Sequence, residues 1–417
     1  MGADPPNLFG QSYVAVGRLR WYAMSTARLS RWARRFLVVS AGFLVLSQAA
    51  SLVSAPRGVV VVLGLYGFVL TTVFGKAYSL VPSYFDRQLA WQRAPQVQLP
   101  LLTVGVVALA LVRWDRGPAV LETIGVLAWV GGVAVFLGTV GWTIRDNVTG
   151  AATGTSDASA ERKPLDRLSN AFVPVALAYL LVGVYELAAT VTPLPALLDG
   201  VGIRIAHLLG PGFAVLTLFA VGYRLLPRFL VVVPSRRLAA VVLPAGAVGP
   251  ALIAVGYPSG VLFRVGAILE SVAVVGFTAS FLSLYVRSDR DRIGFHGPLA
   301  GTLLGTLGVG LGLHFAFAGI AAGLPLVHVQ VNVFGLLGLT IVGVVYQFYP
   351  PAVAAWPGAS DRTALLSIAG LALGLLAVAC SPLTRLPLAR AGHALTTGSA
   401  VTYWYVLAAT VRAQTQR

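Results

Sequence analysis

The sequence predicts an all-α, polytopic membrane protein with about twelve transmembrane helices in three pseudo-symmetric four-helix units. Three observations support this fold class. The 417 residues are 57% hydrophobic and only 11% charged, with a mean hydropathy of +0.82. Apolar runs of about 20 residues, the length that crosses a bilayer as a helix, recur along the chain. One short pattern also occurs three times, at spacings close to a third of the chain.

The apolar runs place the predicted helices in order. They group into a first four-helix unit at 36–142, a second at 170–286 and a third at 296–411. Residues 1–35 form a basic N-terminal arm, 143–169 a flexible polar loop, 287–295 a shorter loop and 412–417 a tail. The individual helices are predicted at roughly 36–55, 57–82, 97–113, 119–142, 170–192, 203–227, 237–257, 261–286, 296–321, 325–350, 364–381 and 390–411.

The repeated pattern lies on predicted helices 2, 6 and 10 and ends each time at a proline. A glycine, a threonine, a small residue and a tyrosine precede that proline at fixed offsets. At about 100° per residue, all but the threonine fall within about 80° of one another, so they form one face for close helix packing. We expect the tyrosine hydroxyl to reach the membrane interface. The copies are Gly67-x4-Thr72-x2-Gly75-x2-Tyr78-x3-Pro82, Gly212-x4-Thr217-x2-Ala220-x2-Tyr223-x3-Pro227 and Gly335-x4-Thr340-x2-Gly343-x2-Tyr346-x3-Pro350.

The net charge of +16 could suggest nucleic-acid binding, but the placement of the basic residues along the chain indicates a membrane topology instead. Most basic residues lie in the arm or in alternate connections, which predicts that both termini are on the cytoplasmic side of the cell membrane. We expect the lipid bilayer as the main partner, and a second membrane subunit could add ligands. Lys76, within predicted helix 2, is expected to extend its ammonium to the interface. The single cysteine, Cys380, excludes a disulfide within the chain.

Histidine is the residue type here that points to chemistry. His207, His328, His314 and His393 are predicted at a similar depth in the outer half of the membrane, whereas His296 lies at the cytoplasmic boundary. Imidazole is the commonest metal ligand, and ionisable groups within a bilayer are usually functional. On an α-helix His328 lies about 20° from the repeat glycine and His207 about 220°, which turns them toward different neighbours. For each ring, a packing role is the alternative.

The segment from His328 to Pro350 resembles helix 10 of heme–copper oxidase large subunits. That family includes the catalytic subunits of cytochrome c oxidase and nitric oxide reductase, which belong to respiratory chains. The segment from Arg204 to Arg228 is similar to helix 6 of the same family. The family has twelve helices in three arcs of four, and its hemes lie toward the outer leaflet. The resemblance implies that His328 and His207 bind one heme b or one copper ion. His314 and His393 are further metal-ligand candidates because of their predicted depth.

The chain departs from the family at several ligand positions. The His-x-His pair of the family's helix 10 is His328-Val-Gln330 here. Predicted helix 2 carries no histidine and has Val60 and Val62 at the matching offsets, and predicted helix 7 lacks the copper-ligand pair. The missing histidines of helix 10 and helix 2 would both bind the low-spin heme in the family, so we expect no low-spin heme here. Without that heme, reduction of dioxygen or nitric oxide has no evident electron input.

Glu186 and Gln330 complete the predicted site as residues that orient an imidazole, although Glu186 could instead pair with Arg204 or Arg264. No catalytic residue is predicted and the leading hypothesis does not require turnover; an enzyme here would be a respiratory-type oxidoreductase. The leading hypothesis is a membrane protein that binds one heme or copper ion and senses or handles a metal or a diatomic gas. The alternatives are a cofactor-free transporter or structural protein, and a divergent quinol-linked reductase.

Overall fold

The computed structural model describes residues 8–354 and 356–416, with side chains from residue 28 onward. It is an all-α membrane protein of twelve long helices, and eleven of them are long and apolar enough to cross a bilayer. The twelfth, Leu388–Gln416, is 29 residues long and completes the last unit. In order, the helices are α1 (Leu8–Leu52), α2 (Arg57–Tyr84), α3 (Ala94–Arg113), α4 (Val120–Ile144), α5 (Asp157–Ala189), α6 (Gly202–Leu230), α7 (Arg236–Gly256), α8 (Val261–Val286), α9 (Ile293–Ala318), α10 (Leu324–Phe348), α11 (Asp361–Leu383) and α12 (Leu388–Gln416).

The contacts between helices repeat three times around the molecule. Within each unit the third and fourth helices form a hairpin: α3 with α4, α7 with α8 and α11 with α12. The first helix of each unit packs on the second, and the last helix, α12, returns to α1 and closes the ring. Because successive helices alternate in direction, Leu8 at the start of α1 and Gln416 at the end of α12 lie at one end of the bundle, called the terminal end below. The prediction of three four-helix units is confirmed.

The repeated helices α2, α6 and α10 form the centre of this ring. Their apolar windows are 83%, 67% and 72% buried, whereas those of α4 and α9 are 33% buried, since outer helices face lipid. Each central helix contains a π-helical segment beside its repeat glycine, and the three segments contact one another. π-helical turns widen a helix and are frequent at functional sites. The segments are Val62–Leu70, Leu208–Val215 and Gln330–Leu339.

The repeat glycines make room for large side chains of the preceding helix. A Cβ on Gly67 would lie 2.8 Å from the Phe43 ring, and one on Gly212 would lie 2.5 Å from the Tyr179 ring. A Cβ on Gly335 would lie 2.9 Å from Leu304. These contacts join the first two helices of each unit, so the predicted packing role of the pattern is confirmed.

The prediction for the repeat tyrosines is wrong. Tyr78, Tyr223 and Tyr346 are only 2%, 3% and 4% exposed, so their hydroxyls do not reach an interface. The hydroxyl of Tyr223 hydrogen-bonds Ser280 of α8 at 2.8 Å, and that of Tyr346 hydrogen-bonds Ser367 of α11 at 2.9 Å. The prediction used only the position of these tyrosines along the helix. The helix face on which they lie is covered by neighbouring helices, so their hydroxyls are buried.

The basic arm and the tail also differ from the predicted boundaries. Residues 1–7 lie outside the described residues, and the rest of the predicted arm, from Leu8, is the first part of α1. The predicted tail belongs to α12 as far as Gln416. The helix-forming arginines and alanines of both segments allow the membrane helices to extend beyond their apolar parts.

The segment predicted as a flexible loop, 143–169, is held in place by buried polar contacts. Lys163–Ala171 is a nine-residue α-helix in the first part of α5, and Asp166 on it is 1% exposed. The Asp166 carboxylate binds Arg228 of α6 at 2.6 Å and lies 3.5 Å from Nε of the buried Arg224. Arg224 donates to the carbonyl of Tyr84 at 3.0 Å. The polar composition that suggested flexibility instead supplies partners for two arginines of α6.

Candidate functional site

A cavity of about 730 Å³ opens at the end of the bundle opposite the chain termini. It lies among the ends of α2, α3, α6, α7, α8 and α10, beside the axis of the three central helices. Its wall is mostly aliphatic, with a small set of polar side chains that face inward or lie at the mouth. Those polar residues are Arg57, Tyr66, Arg113, Thr190, His207, Tyr257, Glu270, His328 and Asn332.

His328 lies on the first turns of α10, directly before the π-helical segment of that helix. Its Nδ1 donates to the carbonyl of Gly308 on α9 at 3.0 Å. The amide of Asn332 donates to the His328 carbonyl at 2.9 Å and packs against Gly308, where a Cβ would lie 2.4 Å from its oxygen. This arrangement of Asn332 therefore requires glycine at position 308, because any larger residue would meet the amide. With Nδ1 carrying the proton, Nε2 is the atom of the ring that can bind a ligand.

His207 lies on α6 immediately before the segment Leu208–Val215, five residues before the repeat glycine, the offset that Gln330 occupies on α10. Its Nδ1 donates to the carbonyl of Ile203 at 2.8 Å, which again leaves Nε2 as the ligand-binding atom. The predicted angle of about 220° assumed a regular α-helix. The π-helical segment breaks that periodicity, so His207 and His328 line the same cavity instead of facing different neighbours.

Two arginines lie at the mouth of the cavity. Arg57 begins α2 and Arg113 ends α3, and both are exposed. Arg113 forms an ion pair with Glu122 at 2.9 Å, in which both side chains remain partly accessible. The mouth therefore carries positive charge next to an aliphatic interior, an arrangement that suits an amphiphilic ligand with acidic groups.

The residues predicted to support the imidazoles lie elsewhere. The Glu186 carboxylate accepts hydrogen bonds from the backbone amides of residues 197, 198 and 200, so it closes the connection between α5 and α6. Gln330 donates to the Ser51 hydroxyl of α1 at 2.9 Å. The Arg204 side chain binds carbonyls at the end of α7, including that of Tyr257 at 2.8 Å, and also lies 3.3 Å from Asp199. Among the residues whose side chains the structure describes, Glu186 therefore pairs with neither an imidazole nor an arginine.

The four predicted metal-binding histidines do not form one site. Only His207 and His328 line the cavity. His314 is exposed on α9 with its ring beside Phe315, and His393 is buried on α12. Across residues 28–354 and 356–416, three or more His, Cys, Asp or Glu side chains nowhere cluster closely enough to hold a metal ion. The four histidines were grouped by their predicted depth in the membrane, and depth does not fix the direction in which a side chain points.

Sequence reasoning missed the residues that orient His328. Gly308 gave no signal because α9 is rich in glycine, and Asn332 was passed over because a single asparagine in a membrane helix has many roles. Arg57 and Arg113 were counted only as boundary charges. The pairing of Asn332 with His328 at a spacing of four residues, one helical turn, was the one local signal available.

Compared with protein-family models and with curated proteins, the chain gives no match. Any function proposed for this protein therefore rests on the geometry of the cavity.

Proposed function

We propose that this membrane protein binds a single b-type heme in the cavity and uses it to bind a diatomic gas reversibly, without ordinary oxidase turnover. The observation that carries the proposal is the pair of imidazoles in one cavity. His207 and His328 each have Nδ1 fixed by a backbone carbonyl, so each ring is oriented with Nε2 free. Metal-ligating histidines are commonly held in this way.

The donor set favours heme over a bare copper ion. A protein-bound copper or zinc ion usually takes three or four side-chain ligands, and the cavity offers only two imidazoles. A heme brings four nitrogen ligands of its own and needs one or two from the protein. The volume of about 730 Å³ also falls within the range of sites for ligands of that size. Arg113 is already paired with Glu122, whereas Arg57 has no ion pair among residues 28–354 and 356–416 and can pair with a propionate at the mouth.

The heme iron, when bound, would supply an open coordination position for a diatomic ligand. His328 would be the protein ligand, and its Nδ1–H bond to the Gly308 carbonyl increases the electron density on Nε2. His207 would lie across the cavity and could hydrogen-bond a bound gas. Val60 and Val62 are buried, and Gln330 is bonded to Ser51, which supports a protein without a second, electron-supplying heme.

We expect protein purified in mild detergent to contain up to one heme b per chain. His328→Ala should reduce bound heme by about tenfold or more, because the ligand is lost. His207→Ala should weaken heme binding by less. Pyridine hemochrome spectra and iron and copper analysis measure these outcomes. The wild-type spectrum should be high-spin and should change when carbon monoxide is added.

Matched variants separate a ligand role from a folding role. Gly308→Ala pushes on Asn332 and should weaken heme binding by about 10–100-fold with His328 intact. Gly310→Ala on the same helix meets open space and should not. His393→Ala and His296→Ala remove imidazoles outside the cavity and should leave heme content unchanged. If the purified protein holds neither heme nor metal, the cofactor-free scaffold or transporter replaces this proposal.

We also propose that the terminal end is cytoplasmic in the cell membrane, so that the cavity opens outward. The support is the basic side chains at the terminal-end connections, among them Arg145, Arg236 and Arg287. Reporter fusions after residue 416 and within the connection at 287–292 should both be active only in the cytoplasm. Activity of either fusion on the outside contradicts this orientation.

A further inference from the structure

A second, narrow chamber runs along the axis between α2, α6 and α10, on the terminal side of the bundle. Its volume is about 120 Å³. It begins at the repeat threonines Thr72, Thr217 and Thr340 and extends to the residues eight positions later, Leu80, Leu225 and Phe348. Eight residues of α-helix span about 12 Å, so the chamber is elongated and has room for one hydrocarbon chain. Leu337 lies in the wall of both this chamber and the histidine cavity.

The chamber wall is hydrocarbon in spite of the three threonines. The Thr72 hydroxyl donates to Ser40 of α1 at 2.8 Å. The Thr340 oxygen is 2.8 Å from the position of a Cβ on Gly301 of α9, so it also faces the preceding helix. The hydroxyls in these two copies point away from the axis and leave the rest of the wall to aliphatic side chains of the three central helices. Such a chamber favours an apolar occupant.

The charged residue in the chamber wall is Lys76. Its Nζ lies at the terminal end of α10, 3.6 Å from the centre of the Phe348 ring and 5.4 Å from that of Tyr349. No ion pair among residues 28–354 and 356–416 includes Lys76. A lysine inside a helical bundle is costly unless an anion accompanies it, and an aromatic ring compensates only in part.

We propose that this axial chamber binds the chain of a fatty acid, with the carboxylate paired to Lys76 at the mouth. An apolar, elongated chamber with one ammonium group at its open end matches an amphiphile that has one chain and one negative charge. A phospholipid has two chains and fits the narrow volume less well. The site lies on the opposite side of Leu337 from the histidines, and it does not depend on heme binding.

The chain contains only two lysines, so lysine side-chain NMR can test this site directly. Protein labelled with ¹³C at lysine Cε and placed in phosphatidylcholine nanodiscs should give two resonances, assigned with Lys163→Met. Decanoate should shift the Lys76 resonance saturably. Decanol, which has the chain without the charge, and acetate, which has the charge without the chain, should not. Lys163 pairs with Asp157 at the surface and should serve as the internal control.

Two variants complete the test. Lys76→Met should reduce decanoate affinity by about tenfold or more, measured by equilibrium binding of ¹⁴C-decanoate. Val344→Trp fills the chamber, keeps Lys76 and should also block binding. An unmoved Lys76 resonance, or equal shifts with decanol or acetate, overturns the proposal. A shift seen only in nanodiscs that contain phosphatidylglycerol also overturns it, because the occupant would then be a phospholipid.

Discussion

Replacing Asp166 by alanine is expected to lower the free energy of unfolding by about 3–5 kcal/mol, the effect of leaving a buried charge without its partner. Asp166 is 1% exposed and contacts two arginines, of which Arg224 is itself 2% exposed. Its carboxylate also accepts a hydrogen bond from Thr155. The guanidinium of Arg224 packs 4.0 Å over the Tyr84 ring, and without Asp166 it keeps only neutral acceptors, the Tyr84 carbonyl and the Asn170 side chain.

Reversible unfolding in mixed micelles, followed by tryptophan fluorescence, measures this loss. Asp157→Ala is the matched control, because it removes an aspartate from the same segment whose side chain is 99% exposed in its pair with Lys163. That change should leave stability unaltered, as isolated surface pairs contribute little. Equal stability losses in the two variants would show that the Asp166 contacts do not anchor the segment. Asp166→Asn keeps the shape and should lose less than the alanine variant.

The fold was predictable because hydrophobic run length is set by bilayer thickness, which acts on every helix alike. The repeat then divided the chain into three units, because Gly67, Gly212 and Gly335 each pack against a large side chain of the preceding helix. The anchoring of Asp166 was not predictable, since a polar loop carries no local record of distant partners. Arg224 and Arg228 on α6 needed counter-charges, but several acidic residues could have supplied them.

The candidate site was half predictable. His207 and His328 were named, and the structure brings both to one cavity. Their common orientation depends on π-helical segments, which have no reliable sequence signal and which change the angle between residues on either side. His314 and His393 were named for depth alone, and their helices turn them away from the cavity.

The three copies of the repeat are not equivalent at the small position, and this difference distinguishes them experimentally. The second copy already carries a Cβ there, at Ala220, which is 1% exposed. In the first copy a Cβ on Gly75 would meet the Cβ and the ring of the fully buried Phe36, and a change of rotamer does not move a Cβ. In the third copy a Cβ on Gly343 would meet the backbone carbonyl of Gly294, which cannot move without shifting α9. From the sequence alone, all three positions accept any small residue.

Gly343→Ala is therefore expected to destabilise the protein by about 3 kcal/mol, at the upper end of the range for overpacking a close helix contact. The added methyl would lie 2.3 Å from the Gly294 oxygen and 2.5 Å from Pro298, so α9 and α10 must separate. Gly138→Ala on α4 is the control, because a Cβ there meets nothing within 4 Å. That variant should be neutral or more stable by up to about 1 kcal/mol, since alanine favours helix. Unfolding in mixed micelles compares the two directly. If Gly343→Ala is as stable as Gly138→Ala, the contact between α9 and α10 is not the tight one described here, and α9 adjusts at no cost.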